Sequence, residues 1–183
     1  LKVFGVLVAY GVLNVLYSRS FKHVAVLDVC CIAAGFVLRV FAGAFAACVT
    51  ASHWIVLMTF LLAMFLALAK RRFEAGLAVQ GNASRKCIDG YTVEFASAAM
   101  VLMAGVTIVS YIMYTVAPAT VQYYGSDDVY LTSFFIILGI LRYMQLSFVG
   151  GGGASPSSVL LKDRFLQATI AGWLAMLGFL LYF

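Results

Sequence analysis

Charge is scarce in this chain. Of its 183 residues 10% are Asp, Glu, Lys or Arg and 64% are apolar, whereas soluble domains carry about 25% charged residues and are about half apolar. A soluble globular domain is excluded. Histidine is limited to His23 and His53, and cysteine to four residues. Cys30, Cys31 and Cys48 lie in an apolar stretch and Cys87 stands alone in a polar one, which excludes a disulfide framework or a zinc site of the usual spacing. The sequence offers no histidine pair and no repeat relating two halves, and its one adjacent pair of carboxylates, Asp127 and Asp128, falls away from the basic stretches. The two-residue alternation of a membrane barrel is missing as well, because the apolar residues are contiguous.

Long apolar runs are what the chain does have. Residues 40–69 contain no charge except a possible one on His53, and 95–126 and 165–183 contain none; a bilayer core is crossed by about 20 apolar residues in a helix. Six apolar segments can be counted, at about 2–16, 28–48, 51–69, 92–117, 128–149 and 165–183. The expected class is all-α, a multi-pass transmembrane bundle forming a single domain over 1–183. The chain opens on Leu1, inside an apolar segment short for a span, so a longer parent protein is expected.

The connections at 17–27, 70–91 and 150–164 alternate with short ones at 49–50 and 118–127. Nine of the twelve Lys and Arg residues fall in the first set: Arg19, Lys22, Lys70, Arg71, Arg72, Arg85, Lys86, Lys162 and Arg164. The second set has none, and Asp127 lies in it. Basic loops remain cytoplasmic, which places the three charged connections inside the cell and the chain in its plasma or inner membrane. Each cation then has an ordinary reading as an orientation signal or headgroup ligand.

Some residues exceed that reading. Arg39 and Arg142 lie within spans, where an arginine costs a few kcal/mol and normally faces a bundle interior or wet cavity. Arg39 follows Asp28 by eleven residues, close to three helical turns, so both are expected on one face, either as a structural pair or around a polar cavity. Lys70 and Glu74 stand at i, i+4 with the cation first, the weaker order for helix support. Cations that hold phosphate oxygens beside a carboxylate that ligates magnesium or positions a hydroxyl would suit a phosphorylated ligand. The stretch YSRSFKHVAVLD, 17–28, is either an anion-binding loop or a basic turn before a helix. The glycines at 150–153 lack the ending of a P-loop and read as a linker.

Taken in order, the blocks YSRSFKHVAVLDV, AAGFVLRVFAGA, LAKRRFE, Arg85 with DGYT, ILRY and SPSSVLLKDRFLQ resemble the UbiA prenyltransferase superfamily, and within it the decaprenyl-phosphate phosphoribosyltransferase branch. The blocks cover nearly the whole chain, and KRRFE stands where aromatic-ring prenyltransferases carry aspartates. The resemblance implies a nine-span bundle around a cavity open to the cytoplasm and to lipid, with spans four to nine supplied here. It also implies magnesium-dependent transfer of 5-phosphoribosyl from phosphoribosyl diphosphate to a polyprenyl phosphate, for envelope polysaccharide synthesis.

By matching position, the resemblance assigns Tyr17, Lys22 and Asp28 to a loop closing over the substrates. Lys70 and Arg71 would meet phosphate, and Glu74 magnesium or a ribose hydroxyl. Lys22, Asp28, Lys70 and Glu74 form the expected catalytic set; Tyr17, Arg39, Arg71, Arg72, Arg85, Asp163 and Arg164 form the expected substrate-binding set. For Asp163 and Arg164, loop ordering and ligand contact both stay open. The superfamily's first aspartate-rich motif has no counterpart here, so the segment alone is expected to be inactive. A prenyl transfer to an aromatic acceptor and a transporter fragment are the rival readings. The enzymatic one requires charged side chains from three inward connections to converge on one water-filled pit.

Overall fold

In lipid the backbone must satisfy its own polar groups, and a contiguous apolar run can do so only as a helix. The computed structural model describes residues 2–79, 90–149 and 162–182, and among them all regular structure is helical. In chain order the helices are α1 (Lys2–Arg19), a 3-10 turn (Phe21–His23), α2 (Leu27–Ala46), α3 (His53–Val79), α4 (Val93–Thr115), α5 (Pro118–Tyr124), a second 3-10 turn (Asp127–Thr132), α6 (Ser133–Val149) and α7 (Arg164–Tyr182). Among the described residues five helical segments are long and apolar enough to cross a bilayer: α2, α3, α4, the second 3-10 turn with α6, and α7. The helix α1, expected as a sixth span, is not among them. The protein is a multi-pass membrane protein, as its composition requires.

One expected boundary is corrected. The connection read as 70–91 does not begin at residue 70: α3 runs on through KRRFE to Val79, 27 residues in all. At about 1.5 Å rise per residue this is about 40 Å, longer than a hydrocarbon core of about 30 Å. Lys70 to Glu74 are therefore mounted on a continuous rigid helix.

The residues fall into two compact units, Leu1–Met103 and Ala104–Phe183. In the first, α2 packs on both α1 and α3. Its interior holds Val29, Ala33, Phe65, Leu68, Ala96 and Met100, all nearly or wholly enclosed. Alanines at 33, 63, 67, 69, 75 and 96 are buried, the small residues that let helices approach closely when hydrophobicity offers no drive between them. Large apolar side chains such as Leu7, Leu62, Val101 and Leu102 face outward, a liability in water and the ordinary arrangement in lipid.

In the second unit α6 packs on α7. The Trp173 indole N–H donates to the Tyr111 hydroxyl at 2.6 Å, and Thr132 gives its proton to the Val129 carbonyl at 2.6 Å. Tyr111 must then donate to Thr132, 2.9 Å away. This chain of three bonds ties α4, the second 3-10 turn and α7 together without leaving any of its hydroxyls unpaired. Gly172 is needed where it lies, since an added Cβ would stand 2.6 Å from the Phe135 ring.

Candidate functional site

The site is built where α2 begins. Val26, the residue before α2, has φ 68° and ψ −44°, a backbone region disfavoured for a β-branched side chain. Its N–H donates to the Tyr91 hydroxyl at 2.8 Å. That hydroxyl in turn donates to Asp28 Oδ1 at 2.6 Å. Asp28 Oδ2 accepts from Arg71 Nε at 2.6 Å, and Arg71 Nη1 donates to Glu74 one turn along α3. Asp28, Arg71 and Tyr91 are 0%, 4% and 5% exposed. A carboxylate and a guanidinium can be enclosed this completely only when paired and hydrogen-bonded. Gly90 makes the approach possible, because a Cβ there would lie 2.5 Å from the Ala25 Cβ. Burial, and then the bond to Asp28, push the Tyr91 phenol well above its ordinary value, so it stays protonated and able to donate at neutral pH.

Glu74 forms its ion pair with Arg71 at i, i+3, and Lys70 is exposed on α3. Asp28 lies within the first turn of α2, enclosed by protein, and not in a loop open to substrate. Arg71, expected on phosphate, has its donors turned to two protein carboxylates. Arg72 is half-buried and donates to the Ser97 hydroxyl of α4 at 2.8 Å, which passes its own proton to the Val93 carbonyl at 2.6 Å. Tyr91 and Ser97 were missed as site residues; Tyr91 lay in plain view in the DGYT block.

Asp28 and Arg39 do not share a cavity. Arg39 and Tyr17 line a hollow of about 120 Å³ with Tyr10, Asn14, Cys31 and Phe36, whereas Asp28 is turned to Arg71 and Tyr91. Arg39 donates to the Tyr10 hydroxyl at 2.6 Å and its guanidinium lies over the Tyr10 and Phe36 rings, 5.3 and 5.0 Å from their centroids. A second, larger hollow of about 620 Å³ is apolar, lined by residues such as Leu13, Leu16, Leu38, Val56 and Phe60. Lys22, half-buried in the first 3-10 turn, lines neither, nor do Lys70 and Glu74, so neither hollow is the water-filled pit on which charges from the three connections were expected to converge. Arg85 lies outside the described residues.

Asp163 and Arg164 belong to the second unit. Arg142 Nη2 donates to Asp163 Oδ2 at 2.6 Å and its Nε bridges both carboxylate oxygens at 3.2 Å. Asp163 also accepts the Leu166 N–H at 2.8 Å, capping α7. Arg164 is exposed. The intramembrane Arg142 is thereby explained as a structural partner that orders the entry to α7. The Arg142 guanidinium, followed by the Leu166 amide, holds the Asp163 carboxyl below its ordinary value. A depressed folded value stabilises above the ordinary carboxylate value and is lost as pH falls through the depressed one. The Leu166 amide is accordingly expected to stay protected from hydrogen exchange down to about pH 4, and to lose protection only below it. Loss already at neutral pH would contradict this pairing.

Magnesium, implied by the resemblance, finds a poor donor set here. Glu74 is engaged by Arg71, and no group of three or more His, Cys, Asp or Glu comes together among the described residues. These residues by themselves do not make a magnesium site.

No family model matches the chain. Curated relatives do. The chain is 30% identical to the decaprenyl-phosphate phosphoribosyltransferase of Mycolicibacterium smegmatis across 97% of its own length and 58% of the relative's. It is 28% identical to the protein of that name from Mycobacterium tuberculosis, over 94% of the chain and 56% of the relative. For the one from Corynebacterium glutamicum the figures are 28%, 90% and 49%. The chain spans about half the length of these relatives. The resemblance carried by the sequence blocks is borne out: over nearly its whole length the chain is similar to decaprenyl-phosphate phosphoribosyltransferases.

Proposed function

We propose that this chain is part of a membrane transferase that moves a 5-phosphoribosyl group from phosphoribosyl diphosphate to a polyprenyl phosphate, releasing diphosphate. Residues 1–183 act as one transmembrane domain in the plasma or inner membrane, with the basic connections facing the cytoplasm. The observation that carries the reading is the meeting of Asp28, Arg71, Glu74 and Tyr91 within hydrogen-bond distance. These residues come from three of the separate blocks that carry the resemblance.

In the reaction a lipid phosphate oxygen forms a bond to the anomeric carbon while the bond from that carbon to diphosphate breaks, its electron pair leaving with diphosphate. The attacking oxygen is already ionised, so no strong general base is required. What the protein supplies is position and charge. Lys70, exposed beside the buried pair, Lys22 and Arg85 would neutralise the polyanionic leaving group and acceptor. Glu74, fixed by Arg71, would accept from a ribose hydroxyl. Arg71 and Asp28 would act through Glu74 and the start of α2, not by touching phosphate.

Membranes carrying the intact protein, given labelled phosphoribosyl diphosphate and polyprenyl phosphate, should yield labelled lipid and free diphosphate. No labelled lipid, or transfer of a prenyl group to an aromatic acceptor instead, would overturn the reading.

A further inference from the structure

A helix begins with four backbone N–H groups that lack intrahelical partners, usually met by a Ser, Thr, Asp or Asn side chain. The start of α2 has no such cap: Val26 precedes it and makes no side-chain bond. The Val26 N–H is met instead by a hydroxyl 65 residues away, that of Tyr91. The same oxygen gives its proton to Asp28. One atom thus joins the approach to α2, its first turn and, through Asp28, Arg71 of α3.

The positive φ of Val26 matters for the same reason. A β-branched residue there is strained and persists only where the surroundings impose it. Upstream, the turn is bonded within itself, His23 N–H to the Ser20 carbonyl at 3.2 Å and Val24 N–H to that of Phe21 at 3.2 Å. It is also joined to α1 by the Ser20 N–H on the Leu16 carbonyl at 3.0 Å and to α2 by the Asp28 N–H on the Val24 carbonyl at 3.1 Å. Val26 is the strained joint through which its C-terminal end meets α2. Lys22 rides on that turn.

We infer that Tyr91 is a positioning residue for the transfer proposed above: its hydroxyl holds the turn at 20–26, and with it Lys22, in register with the Arg71–Glu74 segment of α3. The role in transfer rests on the proposed function; the tether itself does not.

Tyr91→Phe keeps the ring and removes both hydrogen bonds. Tyr111→Phe, which breaks a comparable pair in the other unit, is the control for general weakening. Transfer kinetics and hydrogen exchange of peptide 20–27 are measured on the intact protein at equal amounts of folded material. Tyr91→Phe should raise KM for phosphoribosyl diphosphate so that kcat/KM falls about tenfold to a hundredfold, with faster exchange in 20–27. Tyr111→Phe should lower the yield of folded protein and leave both readouts unchanged. Wild-type KM and exchange in Tyr91→Phe, or changes matched by Tyr111→Phe, overturn the inference. If the wild-type protein shows no transfer, the proposed function fails, and the exchange readout alone decides for or against the tether. Should Tyr91→Phe not accumulate, Gly90→Ala takes its place: it keeps the hydroxyl but forces Ala25 away, and unchanged KM and exchange would then overturn the inference.

Discussion

Arg71→Ala is expected to cost the protein its fold before it costs it a substrate contact. Asp28 is fully enclosed, and removing its cation leaves a buried carboxylate with only the Tyr91 hydroxyl to meet it, a loss of about 3–5 kcal/mol. For a chain of this size that amounts to a fall in melting temperature of about 6–20 °C. Melting of the detergent-solubilised protein, followed by size-exclusion recovery, reads it directly. The double variant Asp28→Asn with Arg71→Met should recover much of the loss, because an uncharged pair no longer needs the bridge. A phosphate ligand would behave differently, with an unchanged melt and a raised KM alone. That outcome would return Arg71 to the substrate-facing role its sequence position suggested.

Lys70→Ala is expected to show the opposite pattern. Lys70 is exposed on α3, so its loss should leave stability within about 0.5 kcal/mol of wild type. If its ammonium faces the departing diphosphate, removing it should slow transfer by about a hundredfold to a thousandfold. Wild-type rates would reduce it to an orientation signal. Glu74→Ala falls between the two: transfer is lost and the melt is lowered, since Arg71 loses one of its carboxylates.

The apolar runs made the helices legible, because contiguous hydrophobicity admits no other structure in lipid. The end of α3 was not legible in the same way. Charge at Lys70, Arg71 and Arg72 reads as the end of a span, yet Lys, Arg, Glu, Ala and Leu are all strong helix formers, and the helix continues to Val79. Hydropathy reports where a helix leaves the membrane, and propensity reports where it stops. The resemblance brought out Asp28, Arg71 and Glu74 as notable residues; their partners lay beyond reach. Arg71 is 43 residues from Asp28, and no local periodicity encodes a contact at that separation. The spacing of Lys70 and Glu74 left Arg71 unmarked as the partner of Glu74, while the buried side of α3 selects it. Tyr91 escaped because a tyrosine in a polar flank has no periodicity to mark it, and its importance comes from Gly90 and Val26, whose geometry appears only in three dimensions.

The uninterrupted course of α3 also sets how the protein tolerates change. In a loop, one inserted residue is absorbed by slack. In a helix turning about 100° per residue, an extra residue anywhere between the lipid-facing stretch and Lys70 would swing the charged row by more than a quarter turn and carry Arg71 away from Asp28. The apolar stretch is thus the shaft on which the charges are keyed, and its length in residues is as tightly specified as their identities.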